Sequence, residues 1–128
     1  MLETALIPDK TIITAKGDGE SVDLSSASAR VFLINLKIAE IVEQESFELL
    51  VFGSADGQTW TPKPLLSFDQ QFYRGEAPML LDLSAQPEIK FVRAHWEVNR
   101  WGRGSDAPRF EVSAPIREVP PDMLKKTS

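Results

Sequence analysis

Apolar and polar residues alternate with a period of two along several stretches of the chain, the signature of strands with one buried face. From Arg30 to Glu40 the apolar positions are Phe32, Ile34, Leu36 and Ile38, with Asn35 and Lys37 facing the other way. A helix competes for Ile38 to Glu45, but the β-branched content and the following Ser46 favour a strand that runs into a loop. Lys90 to Trp101 alternates most clearly, with Val92, Ala94, Trp96 and Val98 inward and Arg93, His95, Glu97 and Asn99 outward. Arg109 to Arg117 repeats the pattern through Phe110, Val112, Ala114 and Ile116. These last two segments are predicted to pair through the loop from Trp101 to Pro108. Phe47 to Phe52 is apolar at both parities, as expected of a central strand covered on two faces.

Shorter strands are predicted at Thr11–Lys16, Ser21–Leu24, Leu65–Phe72 and Met79–Leu83, separated by Gly17-Asp18-Gly19, Pro62, Pro64, Gly75 and Pro87. The clearest turn is Ser54-Ala55-Asp56-Gly57-Gln58-Thr59-Trp60. Asp56-Gly57 suits the positive-φ positions of a two-residue hairpin, and Trp60 is placed to fold over that turn and shield its hydrogen bonds. About seven to nine short antiparallel strands with regular turns predict an all-β fold, a single jelly-roll-like β-sandwich. Its core is expected to contain Phe32, Ile34, Leu36, Val51, Val92, Trp96, Val98, Phe110 and Val112. The ends depart from the pattern: Pro8 follows Leu2, Leu6 and Ile7, and Pro120-Pro121 precedes Met123-Leu124. The expected organisation is an N-terminal arm over 1–10, a sandwich over 11–117 and a C-terminal arm over 118–128, with polyproline favouring an extended tail.

A chain of 128 residues is long enough to bury a continuous core without staples, and it contains no cysteine, which excludes disulfides, thiolate metal sites and thiol nucleophiles. The net charge of −5 opposes attraction to phosphate backbones, so nucleic acid is not an expected partner. Asn35, Lys37 and Glu40 interrupt the longest apolar run, and the first residues lack a basic region and a long apolar region; neither a membrane span nor a signal peptide is expected.

Candidate chemistry is sparse. His95, the only histidine, lies between Arg93 and Glu97 on the outward side of its strand. That placement favours a half-exposed member of a charge ladder over a catalytic dyad with Ser or Asp. With one histidine and no cysteine a zinc site is not expected. Gly17-Asp18-Gly19-Glu20 with Asp23 could hold a calcium ion but lacks a full ligand series, and a plain hairpin turn explains it better. No catalytic residue, metal or cofactor is therefore assigned. Exposed tryptophans can serve as sugar platforms or interface anchors. Trp96 is inward by parity, and Trp60 caps its turn. Trp101, beside Arg100 and Arg103 in a glycine-rich loop, is the tryptophan expected to meet a partner, with simple loop packing as the alternative. Leu6, Ile7, Met123 and Leu124, lying outside the sandwich pattern, are the other expected partner contacts.

The order Gly17-Asp18-Gly19 with Asp23-Leu24, Ser54-x-Asp56-Gly57-x-Thr59-Trp60, Phe91-Val92-Arg93-x-x-Trp96, and Gly104-Ser105 to Pro108-x-Phe110-x-Val112 resembles small β-sandwich proteins of bacteriophages and prophages, over about residues 11 to 117. The resemblance implies a non-enzymatic virion component, a head decoration or cement protein or a tail-associated subunit, made in the bacterial cytoplasm and bound to other virion proteins or to copies of itself. The loop after Trp101 departs from the pattern by inserting Asp106-Ala107 and two arginines. Ser54-x-Asp56-Gly57-x-x-Trp60 with Phe91-Val92-Arg93 and Arg109-Phe110-Glu111-Val112 is also similar to discoidin-like, galactose-binding jelly rolls, although their paired cysteines are missing. That second resemblance implies a carbohydrate-binding module and a surface glycan as partner.

Overall fold

The structure, a computed structural model, describes residues 2–41, 45–71, 74–100 and 110–119. They form strands β1 (Glu3–Ile13), β2 (Gly17–Asp18), β3 (Val22–Asp23), β4 (Val31–Ile41), β5 (Glu45–Ser54), β6 (Leu66–Ser67), β7 (Gly75–Asp82), β8 (Phe91–Arg100) and β9 (Phe110–Glu118). The first sheet has the order β1-β9-β4-β7 and the second the order β2-β8-β5-β6, with β3 also paired to β8; every strand pair is antiparallel. The chain passes from one sheet to the other at β1–β2, β3–β4, β4–β5, β6–β7, β7–β8 and β8–β9, which is the winding of a jelly roll. The all-β sandwich expected from the alternation is thus the fold observed, and Ile38 to Ile41 continues β4 without turning helical.

That winding corrects one expected pairing. β8 and β9 do not form a hairpin, because β8 pairs with β5 in the second sheet and β9 lies between β1 and β4 in the first. The two sheets meet across the core instead, where the Phe47 ring of β5 lies 5.3 Å from the Phe110 ring of β9. Phe32, Ile34, Leu36, Val51, Val92, Phe110 and Val112 are buried as expected, and Phe47, Leu49 and Leu83 join them. Trp96 and Val98 keep the inward parity but are only partly buried at the rim.

The N-terminal arm is a second correction. Residues 3–13 form β1, an edge strand that covers β9, and Leu6 and Ile7 are each 1% exposed within the core. They are packing residues of this domain and offer no surface to a partner. Two adjacent residues can both point inward because the register shifts between Ala5 and Ile7, a bulge that suspends the period of two. A second irregularity between Ile7 and Thr11 accommodates Pro8, with Lys10 at a φ of 60°, so the proline sits in an interrupted part of the edge strand and does not end it.

The body also extends past the expected start of the C-terminal arm. Val119 donates its N–H to the Val31 carbonyl, and Glu118 is 2% exposed. The Glu118 carboxylate accepts hydrogen bonds from the Leu2 N–H, from the Ala29 N–H at 2.9 Å, and from the Ser28 N–H and hydroxyl. It ties the start of β1, the loop before β4 and the end of β9 together. The bond from Leu2, aided by those from Ala29 and Ser28, holds this carboxyl below its usual range against the opposing effect of burial. Met123 and Leu124 lie outside the described residues, as do Trp101 and Arg103; the side chain of Arg100, which ends β8, lies outside them as well.

Candidate functional site

The outer face of the second sheet gathers the charged and aromatic groups. Alternation along β8 turns Arg93, His95 and Glu97 outward, and antiparallel register sets Phe52 of β5 beside Arg93 and Leu50 beside His95. From the other flank, β2 brings Asp18 opposite His95. The glycines around Asp18 explain its placement. Gly19 donates its N–H to the Ala94 carbonyl at 2.8 Å, and a Cβ there would come within 2.9 Å of the Leu6 carbonyl oxygen. Any side chain at this position would push β2 away from β1, and Asp18 away from His95. Gly17 lies against the Trp96 indole, whose Nε1–H is donated to the Ala15 carbonyl at 3.0 Å. The segment is a strand fragment laid along β8. The expected hairpin turn is not formed, and among the described residues no three carboxylate or imidazole groups converge as a metal site would require. Asp23 instead accepts bonds from the Ser25 hydroxyl and N–H, which keep its carboxyl below the usual range.

His95 is bonded at both ring nitrogens, Nδ1 to Asp18 at 2.8 Å and Nε2 to Glu97 at 2.5 Å. Both contacts are hydrogen bonds at once only when the ring is an imidazolium, because carboxylates only accept. The Phe52 ring stands edge-on to it, with centroids 6.1 Å apart at 82°. The expected charge ladder is present, and it engages both nitrogens that a dyad would need.

Trp60 departs from its expected role. β5 ends at Ser54, which bridges to Trp60 across residues 55–59, so the connection is longer than a two-residue hairpin. Gly57 alone in it has a positive φ, 81°. Asp56 organises this loop by accepting the N–H groups of Thr59 and Gln58, both at 2.8 Å, and the Ser54 hydroxyl at 2.9 Å; the Thr59 bond is foremost in holding its carboxyl below the usual range. Ser54 Oγ in turn accepts the Gly57 N–H at 2.8 Å. Asp56 and Gly57 are turn residues as expected, but they do not form the expected two-residue hairpin, and Asp56 acts through its side chain. The ring beneath Gly57 is Phe91, 3.6 Å from where a Cβ would sit, while Trp60 lies under the Arg93 guanidinium, whose carbon is 4.5 Å from the indole centroid. Arg93 Nε is 4.0 Å from Asp18 Oδ1 and has no hydrogen-bond partner among the described residues. Asp18, Phe52, Trp60, Thr61, Arg93 and His95 line a shallow depression of about 290 Å³.

The outer face of the first sheet is mixed: Lys37 pairs with Glu76 at 3.8 Å and Asn35 donates to Glu76 at 3.0 Å, beside a group of apolar residues. Leu33 of β4 stands beside Leu80 of β7 on one side and Arg117 of β9 on the other, and Asn35 stands beside Pro78. Leu80 is 51% and Ile12 of β1 is 45% exposed, and Leu33 and Pro115 are half-buried. The ladder runs past Asn35–Pro78 without a register shift, so the missing proline N–H falls on the free side of β7 and discourages strand addition there. Docking at this flank of the sheet is then face-on.

Comparisons of the chain with protein-family models, with curated proteins and with solved structures give no match.

Proposed function

We propose that this protein is a non-enzymatic binding subunit of a larger assembly, a bacteriophage virion component of the head-decoration or tail-associated kind, which meets other virion proteins or its own copies through protein–protein contacts. The observation that carries the reading is the apolar band of Leu33, Leu80 and Pro115 on the outer face of the first sheet, which remains open to solvent, with Ile12 exposed separately toward the far edge. Two further points support it. The motif order from Gly17 to Val112 resembles phage β-sandwich proteins, and the one histidine is committed to two carboxylates, which favours binding over acid–base chemistry.

The test is to induce particles from a lysogen carrying the gene, band them by density, and probe them by immunogold labelling and mass spectrometry. The chain should band with the particles, and Leu80→Lys should leave it folded but unincorporated. Recovery of the parent chain only in the soluble fraction would overturn the reading.

A further inference from the structure

We infer that the outer face of the second sheet binds a neutral sugar ring in the depression between Asp18, Phe52, Trp60 and Arg93. Most polar groups of this cluster are already engaged. His95 spends both nitrogens on Asp18 and Glu97, and Thr61 Oγ1 donates to the Lys63 carbonyl while accepting from the Gly53 N–H. Arg93 is the exception. Among the described residues it donates no hydrogen bond, and it is positioned by stacking on Trp60 and by the Asp18 charge at 4.0 Å. A guanidinium fixed through its face, with its edge donors unused, is prepared for a ligand that brings acceptors.

Charge selects the class of ligand. The Asp18 and Glu97 carboxylates oppose an anion and the Arg93 guanidinium opposes a cation, so neither sign of charge is favoured. An anionic ligand at Arg93 would also face the Asp18 carboxylate, while a purely apolar one would strip water from Arg93 without replacing its bonds. A sugar ring avoids both penalties. Its hydroxyls accept from Arg93 and donate to the remaining lone pairs of Asp18, and its C–H face covers the aromatic carbon of Phe52 and Trp60. The volume of about 290 Å³ falls just below the roughly 300–1,000 Å³ typical of ligand sites, which suits one ring and not an extended chain. The site lies on the face opposite the apolar band, so the two activities fail separately.

The test is a nitrogen-15 NMR titration of the full chain with glucose, galactose, mannose and N-acetylglucosamine, and in parallel with glucuronate and inorganic phosphate. At least one neutral sugar should shift the amides of Asp18, Phe52, Trp60 and Arg93 saturably, with a roughly millimolar Kd. Arg93→Lys, which keeps the charge but loses the planar fork, should weaken that binding roughly tenfold or more. Trp60→Ala should weaken it too, whereas Leu80→Lys on the other face should leave it unchanged. Spectral dispersion reports whether each variant is folded. Shifts produced only by glucuronate or phosphate, no saturable shift with any of the four neutral sugars, or a folded Arg93→Lys that binds like the parent would each overturn the inference.

Discussion

The first sheet is held at its edges by backbone, since β1 and β7 are long strands that pair with β9 and β4 over most of their lengths. The second sheet has long strands only at its centre, β5 and β8, and its flanks are the two-residue fragments β2, β3 and β6. Side chains take over there: Asp18 bonds His95, Asp56 closes the turn after β5, and Gln70 Nε2 donates to Ser46 Oγ. The contrast accounts for the two outer faces. Where a ladder secures the edge, exposed side chains, the Leu33–Leu80 pair and the Lys37–Glu76 ion pair alike, owe little to the fold. Where the ladder is short, the same positions become a bonded network, and any ligand must use the donors left over.

The largest effects should fall where the two sheets meet, because there the difference between them disappears. Phe47→Ala and Phe110→Ala should each cost about 3–5 kcal/mol in urea unfolding, one in each sheet. A double-mutant cycle should return roughly 0.5–1.5 kcal/mol of coupling between the rings, and strict additivity would deny the contact. Leu6→Ala should cost about 2–5 kcal/mol, against less than about 0.5 kcal/mol for Leu80→Ala on the outer face of the same sheet. A silent Leu6→Ala would return the first ten residues to the status of an arm.

Acid should discriminate next. Because the folded pKa of Glu118 is depressed, its bonds contribute stability above the ordinary glutamate pKa of about 4.3, and that contribution is lost as pH falls through the depressed value. Glu118→Gln should be less stable than the parent near neutrality, and the gap should close as pH falls; thermal melts across an acid series measure it, and a pH-independent gap would contradict the clamp. The smallest effect belongs to the second sheet's edge. His95→Gln should cost only about 0–1 kcal/mol globally, since its partners are partly exposed, yet it should speed hydrogen exchange at the Gly19 amide. Unchanged exchange would mean that backbone alone holds β2.

β4, β8 and β9 were legible because each keeps one face in the core through a run of alternating residues, and parity also set Arg93, His95 and Glu97 outward correctly. β5 is a central strand as its apolar run suggested, but its Leu50 and Phe52 face is only partly buried and not covered by a second layer. β1 was hidden because its bulge puts Leu6 and Ile7 inward together and Pro8 mimics a strand end. The pairing of β8 with β9 was misread because proximity in sequence favours a hairpin, whereas here the chain sends these two consecutive strands to opposite sheets. Half of the candidate site was legible for the same reason. Alternation could orient His95 and Arg93, but their meeting with Asp18 and Trp60 depends on which strands become neighbours and on the loop that Asp56 organises.

The position of β9 between β1 and β4 also sets a timetable for biosynthesis. The ribosome releases β1 first, but its partner emerges only after more than half the chain, so Glu3 must wait for Arg117. Until then both neighbours of β9 expose unpaired edges, and closure depends on contacts distant in sequence, the class that folds slowly, in milliseconds to seconds. The first sheet can form only once β9 has emerged, and a product cut short before Phe110 would carry two vacant strand edges and a strong tendency to aggregate.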